Sequence, residues 1–144
     1  MAVQNIVEHT ADFEAGISRW QEMEDETIAM CEEIMSSTDN AIVKTMVGVI
    51  SADSAKHKQI LSLITQALEG TVTLDPDELG KISGLLDKHM DLEKQSIDMA
   101  MREYDNSRHF VVRHLLSYLL QDEQKHMKIL NQLNDYKRHL YPYA

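Results

Sequence analysis

The stretch Asp122-Glu123-Gln124-Lys125-His126 decides the fold, because a second version of it, Asp53-Ser54-Ala55-Lys56-His57, stands 69 residues earlier. The correspondence continues upstream without a gap and pairs Glu24 with Glu93. This internal repeat predicts two similar structural units in one chain. Between residues 24 and 61, the first-copy residues that are identical to their second-copy counterparts are Glu24, Ile28, Met30, Val43, Asp53, Lys56, His57, Ile60 and Leu61.

Hydrophobic periodicity predicts four long helices and therefore an all-α fold. The first is expected over about residues 12–36, the second over about 40–69 and the fourth over about 107–139, with polar breaks between them. Gly70 is expected to end the second helix as a C′ glycine. The four helices are expected to form two pseudo-repeated antiparallel hairpins, over about residues 12–69 and 77–139. At 144 residues, the chain is expected to be one domain, 1–144.

The start of the third helix has two interpretations. Asp75-Pro76 is typical of an N-cap followed by a first-turn proline, which places the start at Pro76. Gly80 and Gly84 each weaken a helix by up to about 1 kcal/mol, which favours a start near Ile82. A start near Ile82 leaves enough chain for a crossover along a bundle, and a start at Pro76 favours up-down-up-down connectivity. We favour the crossover because of the two glycines.

The composition excludes several classes of partner. The net charge is −10, from 24 acidic and 14 basic residues, which argues against binding to nucleic acid or to an anionic membrane surface. No apolar run reaches the roughly 20 residues that a membrane-spanning helix needs. Cys31 is the only cysteine, and no signal peptide is visible at the N-terminus. We therefore expect a cytoplasmic protein without disulfides.

Polar residues interrupt the apolar stripe near the middle of every predicted helix. A charged residue in such a stripe costs several kcal/mol unless it is paired or bound to a metal. Glutamate and histidine three residues apart share a helix face and can both reach one ion, and this donor set suits iron or manganese, with zinc as a further option. The alternative is a buried polar network without metal, and a histidine such as His89 is more often a hydrogen-bonded core residue. The interrupting residues are Glu24, Ser54, His57, Glu93, Glu123 and His126.

The pattern resembles the ferritin-like superfamily, which includes the rubrerythrins and bacterioferritins. Its motif is one glutamate on a first helix and Glu-x-x-His on a second, given twice in a four-helix bundle. The resemblance implies one or two iron ions, and it covers nearly the whole chain. Ser54 stands where one of the two bridging carboxylates would be, and Asp53 and His89 are substitute candidates. The five metal ligands that the resemblance implies are Glu24, His57, Glu93, Glu123 and His126.

Two functions of different classes follow from this resemblance. One is an iron-dependent oxidoreductase or iron-handling protein with an incomplete di-iron site, whose enzymatic form would be a di-iron or mono-iron oxidase or peroxidase. The alternative is a metal-free ferritin-like module that has lost its chemistry and serves an oligomeric binding or structural role, as Ser54 suggests. In both cases a homo-oligomer is expected, first of all a dimer, and the nine methionines suit an adaptable interface.

Overall fold

The computed structural model describes residues 2–140, with the side chains of residues 11–75 and 77–136. These residues form helices and no strand, which confirms the all-α prediction. No helix in this part of the chain carries an apolar stretch long enough to cross a membrane. The four helices are α1 (Ala2–Ser36), α2 (Ala41–Leu68), α3 (Pro76–Asn106) and α4 (Phe110–Leu140).

The helices pair as two hairpins, each of which forms a compact unit, with the division between Thr73 and Leu74. Hairpin one consists of α1 and α2, and hairpin two of α3 and α4. Both hairpins are antiparallel: in hairpin one, Gln21 on α1 bonds Ser62 near the end of α2. In hairpin two, Asn134 near the end of α4 bonds the sulfur of Met90 on α3. The prediction of two antiparallel hairpins is confirmed, and the ferritin-like pairing within one domain stays a prediction.

Buried side chains recur every seven residues, about two helical turns, along the seam of each hairpin. In α1 they are Ile17, Glu24 and Cys31, and in α2 they are Ser54 and Leu61. Three of these five positions are buried again 69 residues later, so the internal repeat of the sequence is in large part a repeat of buried positions. Polar groups thus occupy the seam where apolar residues are expected. In hairpin two, the buried members of the corresponding set are Glu93, Ala100 and Leu130.

The third helix begins at Pro76, so a start near Ile82 was wrong. The Asp75 side chain accepts a hydrogen bond of 2.9 Å from the Asp77 backbone N–H, which caps the helix. Leu79 is buried in the first turns, and the cap and this packing outweigh the cost of Gly80 and Gly84. Both glycines therefore lie inside regular helix.

This early start shortens the connection between the hairpins to residues 69–75. Seven extended residues reach at most about 24 Å, whereas the 28 residues of α2 span about 42 Å. Gly70 adopts a positive φ of 77° at the end of α2, as predicted for a C′ glycine. The start near Ile82 on which the crossover was favoured therefore does not hold, and the connection is shorter than α2.

The first helix also begins earlier than expected, at Ala2 and not near residue 12. Residues 2–11 contain no glycine or proline, so no residue in this segment interrupts the helix. The other boundaries agree with the sequence: Asn40 caps α2 by accepting hydrogen bonds from the backbone N–H groups of Ile42 and Val43. The capping and turn residues therefore predict the helix ends better than the hydrophobic pattern does.

Candidate metal centre

Hairpin two brings together three of the five predicted ligands, Glu93 on α3 and Glu123 and His126 on α4. One ligand atom from each lies within 4.8 Å of the others. The His126 Nδ1 atom lies 3.5 Å from Glu93 Oε1 and 3.8 Å from Glu123 Oε2. Glu123 and His126 share a helix face because they are three residues apart. These three residues are the hairpin-two cluster, and their donor set suits a divalent metal ion.

One carboxylate oxygen of this cluster has no hydrogen-bond donor. Glu93 is only 6% exposed. Its Oε1 atom lies 2.9 Å from His89 Nε2, but its Oε2 atom is buried without a hydrogen-bond partner. Leaving a buried acceptor unsatisfied carries a desolvation cost that is larger for charged groups. A cation or a proton between the two carboxyl groups would remove that cost.

The two carboxyl groups of the cluster compete for one proton. A proton held by Glu123 and shared with Glu93 is the largest cause of both shifts, lowering the pKa of Glu93 and raising the pKa of Glu123. His89 and His126 lower the pKa of Glu93 further, while burial and the Glu93 charge raise that of Glu123. Two close carboxyl groups behave in this way because both cannot be charged without repulsion. A divalent metal ion would take the place of the shared proton.

We predict that metal affinity falls as the pH is lowered through the raised pKa of Glu123. Below that pKa the proton on Glu123 competes with the metal, so affinity should drop by up to about tenfold per pH unit, with proton release on binding. In the metal-free protein, the raised pKa of Glu123 should act on folding stability in the opposite direction, so that the contribution of Glu123 to stability is larger at low pH. A raised folded-state pKa contributes stability below the unfolded value, and that contribution is lost as the pH rises through the folded value. Titrations with Mn(II) at a series of pH values test this, and an affinity that does not depend on pH would contradict it.

Hairpin one holds the matching glutamate in a network of hydrogen-bond donors. Glu24 Oε1 accepts a bond of 3.0 Å from Trp20 Nε1 and lies 3.1 Å from His57 Nδ1. The Ser54 hydroxyl donates to the same carboxylate and is the largest cause of the lowered pKa of Glu24; His57 and Trp20 also lower that pKa, against the opposing effect of burial. Glu24 is therefore a charged group with three donors and no second carboxylate beside it.

The repeat shows how the two networks differ. Trp20 corresponds to His89, and each contacts the glutamate four residues further on. Ser54 corresponds to Glu123. Since an indole nitrogen only donates and a hydroxyl binds iron poorly, hairpin one has two donors where hairpin two has an imidazole and a carboxylate. The correspondence of Trp20 to His89 in the repeat is the sequence signal that could have revealed this role of Trp20.

A further carboxylate stands behind the imidazole of the hairpin-two cluster. Asp122 Oδ2 lies 3.6 Å from His126 Nε2, the ring nitrogen opposite the one that faces Glu93 and Glu123. Such a carboxylate orients a metal-binding histidine and raises its basicity. Asp122 also forms an ion pair of 3.0 Å with Lys125. Asp122 therefore lies one layer outside the ligands, where it supports His126.

All five predicted ligands lie in the buried seams or beside them, in two groups. Glu24 and His57 contact each other in hairpin one, and Glu93, Glu123 and His126 form the hairpin-two cluster. A role for Glu24 and His57 as metal ligands stays a prediction. The chain matches no protein-family model, and no curated protein or solved structure matches it either. Its function therefore has to be inferred from these two groups of side chains.

Proposed function

We propose that this chain is a ferritin-like metal-binding protein whose metal is held by Glu93, Glu123 and His126. The observation that carries the proposal is the buried Oε2 atom of Glu93, which has no donor and belongs to a set of three metal-ligand side chains. Two carboxylates and an imidazole suit Fe(II) or Mn(II), and Zn(II) is a further option. Iron is the first choice because the ligand pattern resembles that of the ferritin-like superfamily.

The surrounding residues would position the ligands. His89 holds one oxygen of Glu93, so the other oxygen is left for the metal. Asp122 lies behind His126 and would favour the tautomer whose Nδ1 atom is free to bind. A bound iron ion would supply reactivity toward oxygen or peroxide, which is the basis for proposing an oxidoreductase or an iron-handling protein.

The test is a count of metal ions on the full-length protein. Protein stripped with a chelator is loaded anaerobically with Fe(II), or with Mn(II), and the bound metal and its affinity are measured. Glu123→Gln should weaken binding by more than the roughly 10- to 100-fold that is typical of changes outside the ligand shell. Ser54→Ala, at the matching position of hairpin one, should leave the affinity nearly unchanged. A wild-type protein that binds neither ion would refute the proposal.

A metal-free oligomeric module is the second candidate. The observation in its favour is hairpin one, where Glu24 has three hydrogen-bond donors and needs no cation. If hairpin two also works without metal, Glu123 should stay protonated up to its raised pKa and satisfy Glu93 through that proton. The metal count separates the two candidates, because the module should self-associate and bind no metal.

A further inference from the structure

Hairpin two supplies half of a complete two-metal site. A two-metal carboxylate bundle uses one glutamate from each of two helices and Glu-x-x-His from each of the other two. Glu93 on α3 and Glu123-x-x-His126 on α4 are one such half. Hairpin one lacks the bridging carboxylate because Ser54 stands in its place. A second copy of hairpin two would complete the set, with four carboxylates and two imidazoles.

We propose that a second copy of this chain completes the metal site, with hairpin two of one protomer facing hairpin two of its partner around two divalent cations. This inference rests on the proposed function and adds a partner to it. The contact is of the self-complementary kind that two-fold symmetry produces, in which each protomer contributes the same three ligands. Each chain then accounts for one metal ion.

The face beside the ligands is apolar and exposed in hairpin two. On α3, Leu85, Leu92 and Met99 recur every seven residues and are 66%, 61% and 62% exposed. His89 lies in this stripe, between Leu85 and Leu92. On α4, Leu119 is 49% exposed and stands seven residues before His126, so the second histidine also borders exposed apolar side chains. Apolar stripes of this kind on either side of a ligand cluster mark a surface that a partner covers.

The environment of Glu24 favours a second copy of hairpin two as the source of the remaining ligands. Glu24 has three hydrogen-bond donors already, so hairpin one brings no unsatisfied carboxylate that needs a shared metal. Hairpin two holds the buried Oε2 atom of Glu93, which has no donor, and a second copy of hairpin two brings the same unsatisfied atom.

The proposal makes dimer formation depend on the metal. Four carboxylates brought together without cations repel one another, so the dimer should weaken when the metal is removed. Sedimentation velocity on the full-length protein, with Mn(II) and then with excess chelator, measures this directly. We expect a dimer with one metal ion per chain, and at least a tenfold weaker dimerisation constant after chelation. A metal-loaded monomer, or a dimer that chelation does not weaken, would overturn the inference and leave the metal-binding proposal standing.

Two histidine variants decide which hairpin completes the site. His126→Ala should abolish both metal binding and metal-dependent dimerisation. His57→Ala, at the corresponding position of hairpin one, should change neither by more than about twofold if the partner's hairpin two supplies the remaining ligands. Equal losses in the two variants would overturn the inference in favour of a site within one chain. Glu123→Gln, which keeps the side-chain size, repeats the first measurement if circular dichroism shows that His126→Ala is unfolded.

Discussion

Glu93→Gln is expected to abolish metal binding and at the same time to raise the melting temperature of the metal-free protein. Binding should weaken by at least about 100-fold, because a direct ligand is lost together with its negative charge. The stability effect should be an increase of a few degrees in Tm near neutral pH, as a gain of about 1 kcal/mol produces in a chain of this size. The two effects have opposite signs because the wild-type site holds two carboxylates close together.

The stability gain has a specific structural reason. The buried Oε2 atom of Glu93 has no donor, and Glu123 is the neighbouring carboxyl group. A glutamine can keep its carbonyl oxygen on His89 and place its amide group where Oε2 lies, so the amide donates to Glu123. The substitution thereby replaces two competing acceptors with a donor and an acceptor. Residues kept at a stability cost are typical of binding sites.

Glu24→Gln is the matched control for this prediction. Glu24 accepts from Trp20 and Ser54 and contacts His57, so loss of its charge weakens hydrogen bonds that depend on that charge. The expected result is a lower Tm, opposite in sign to that of Glu93→Gln. Thermal unfolding of both variants, followed by circular dichroism in the presence of chelator, gives the comparison. Equal shifts of the same sign would show that the two glutamates have equivalent environments.

The sequence predicted those parts of the fold that the internal repeat and the helix caps determine. The 69-residue correspondence located both hairpins, and the pair Asp75-Pro76 correctly indicated where α3 begins. The predicted start near Ile82 was wrong because it rested on Gly80 and Gly84, whose summed propensity cost is about 2 kcal/mol. The combined effect of the Asp75 cap, the first-turn proline and the burial of Leu79 is larger than this cost. The intrinsic helix propensity of single residues is a weak guide to helix boundaries, because tertiary packing overrides it.

The candidate site was predictable in its residues and less so in its contacts. The spacing of Glu123 and His126, and the correspondence of Glu93 to Glu24, were sufficient to place three side chains in one seam. The hydrogen bond from Trp20 was not predictable, because it depends on which way the indole ring turns, and the sequence pattern does not determine that angle.

Ser54→Glu is expected to give hairpin one a metal site of its own and to make its stability depend on metal. The Ser54 side chain is buried and donates to Glu24, so a carboxylate in its place turns a donor into a second acceptor, as Glu123 is beside Glu93. Without metal, the melting temperature should fall, and the new carboxyl group should take up a proton as Glu123 does. With metal, Glu24 and His57 gain the ligand that the repeat lacks there.

The count of metal ions should rise from about one to about two per chain, as the ligand sets of the two hairpins become equivalent. Mn(II) at 100 times its dissociation constant should stabilise the variant by about 2.7 kcal/mol through the new site, beyond the effect of Mn(II) on the wild type. Ser54→Gln is the control, because it has nearly the same size without the charge and should gain no metal. A folded Ser54→Glu protein with an unchanged count would mean that a carboxylate at this position cannot complete a site. The difference between the hairpins would then lie in Trp20, the other residue at which hairpin one differs from hairpin two around its glutamate.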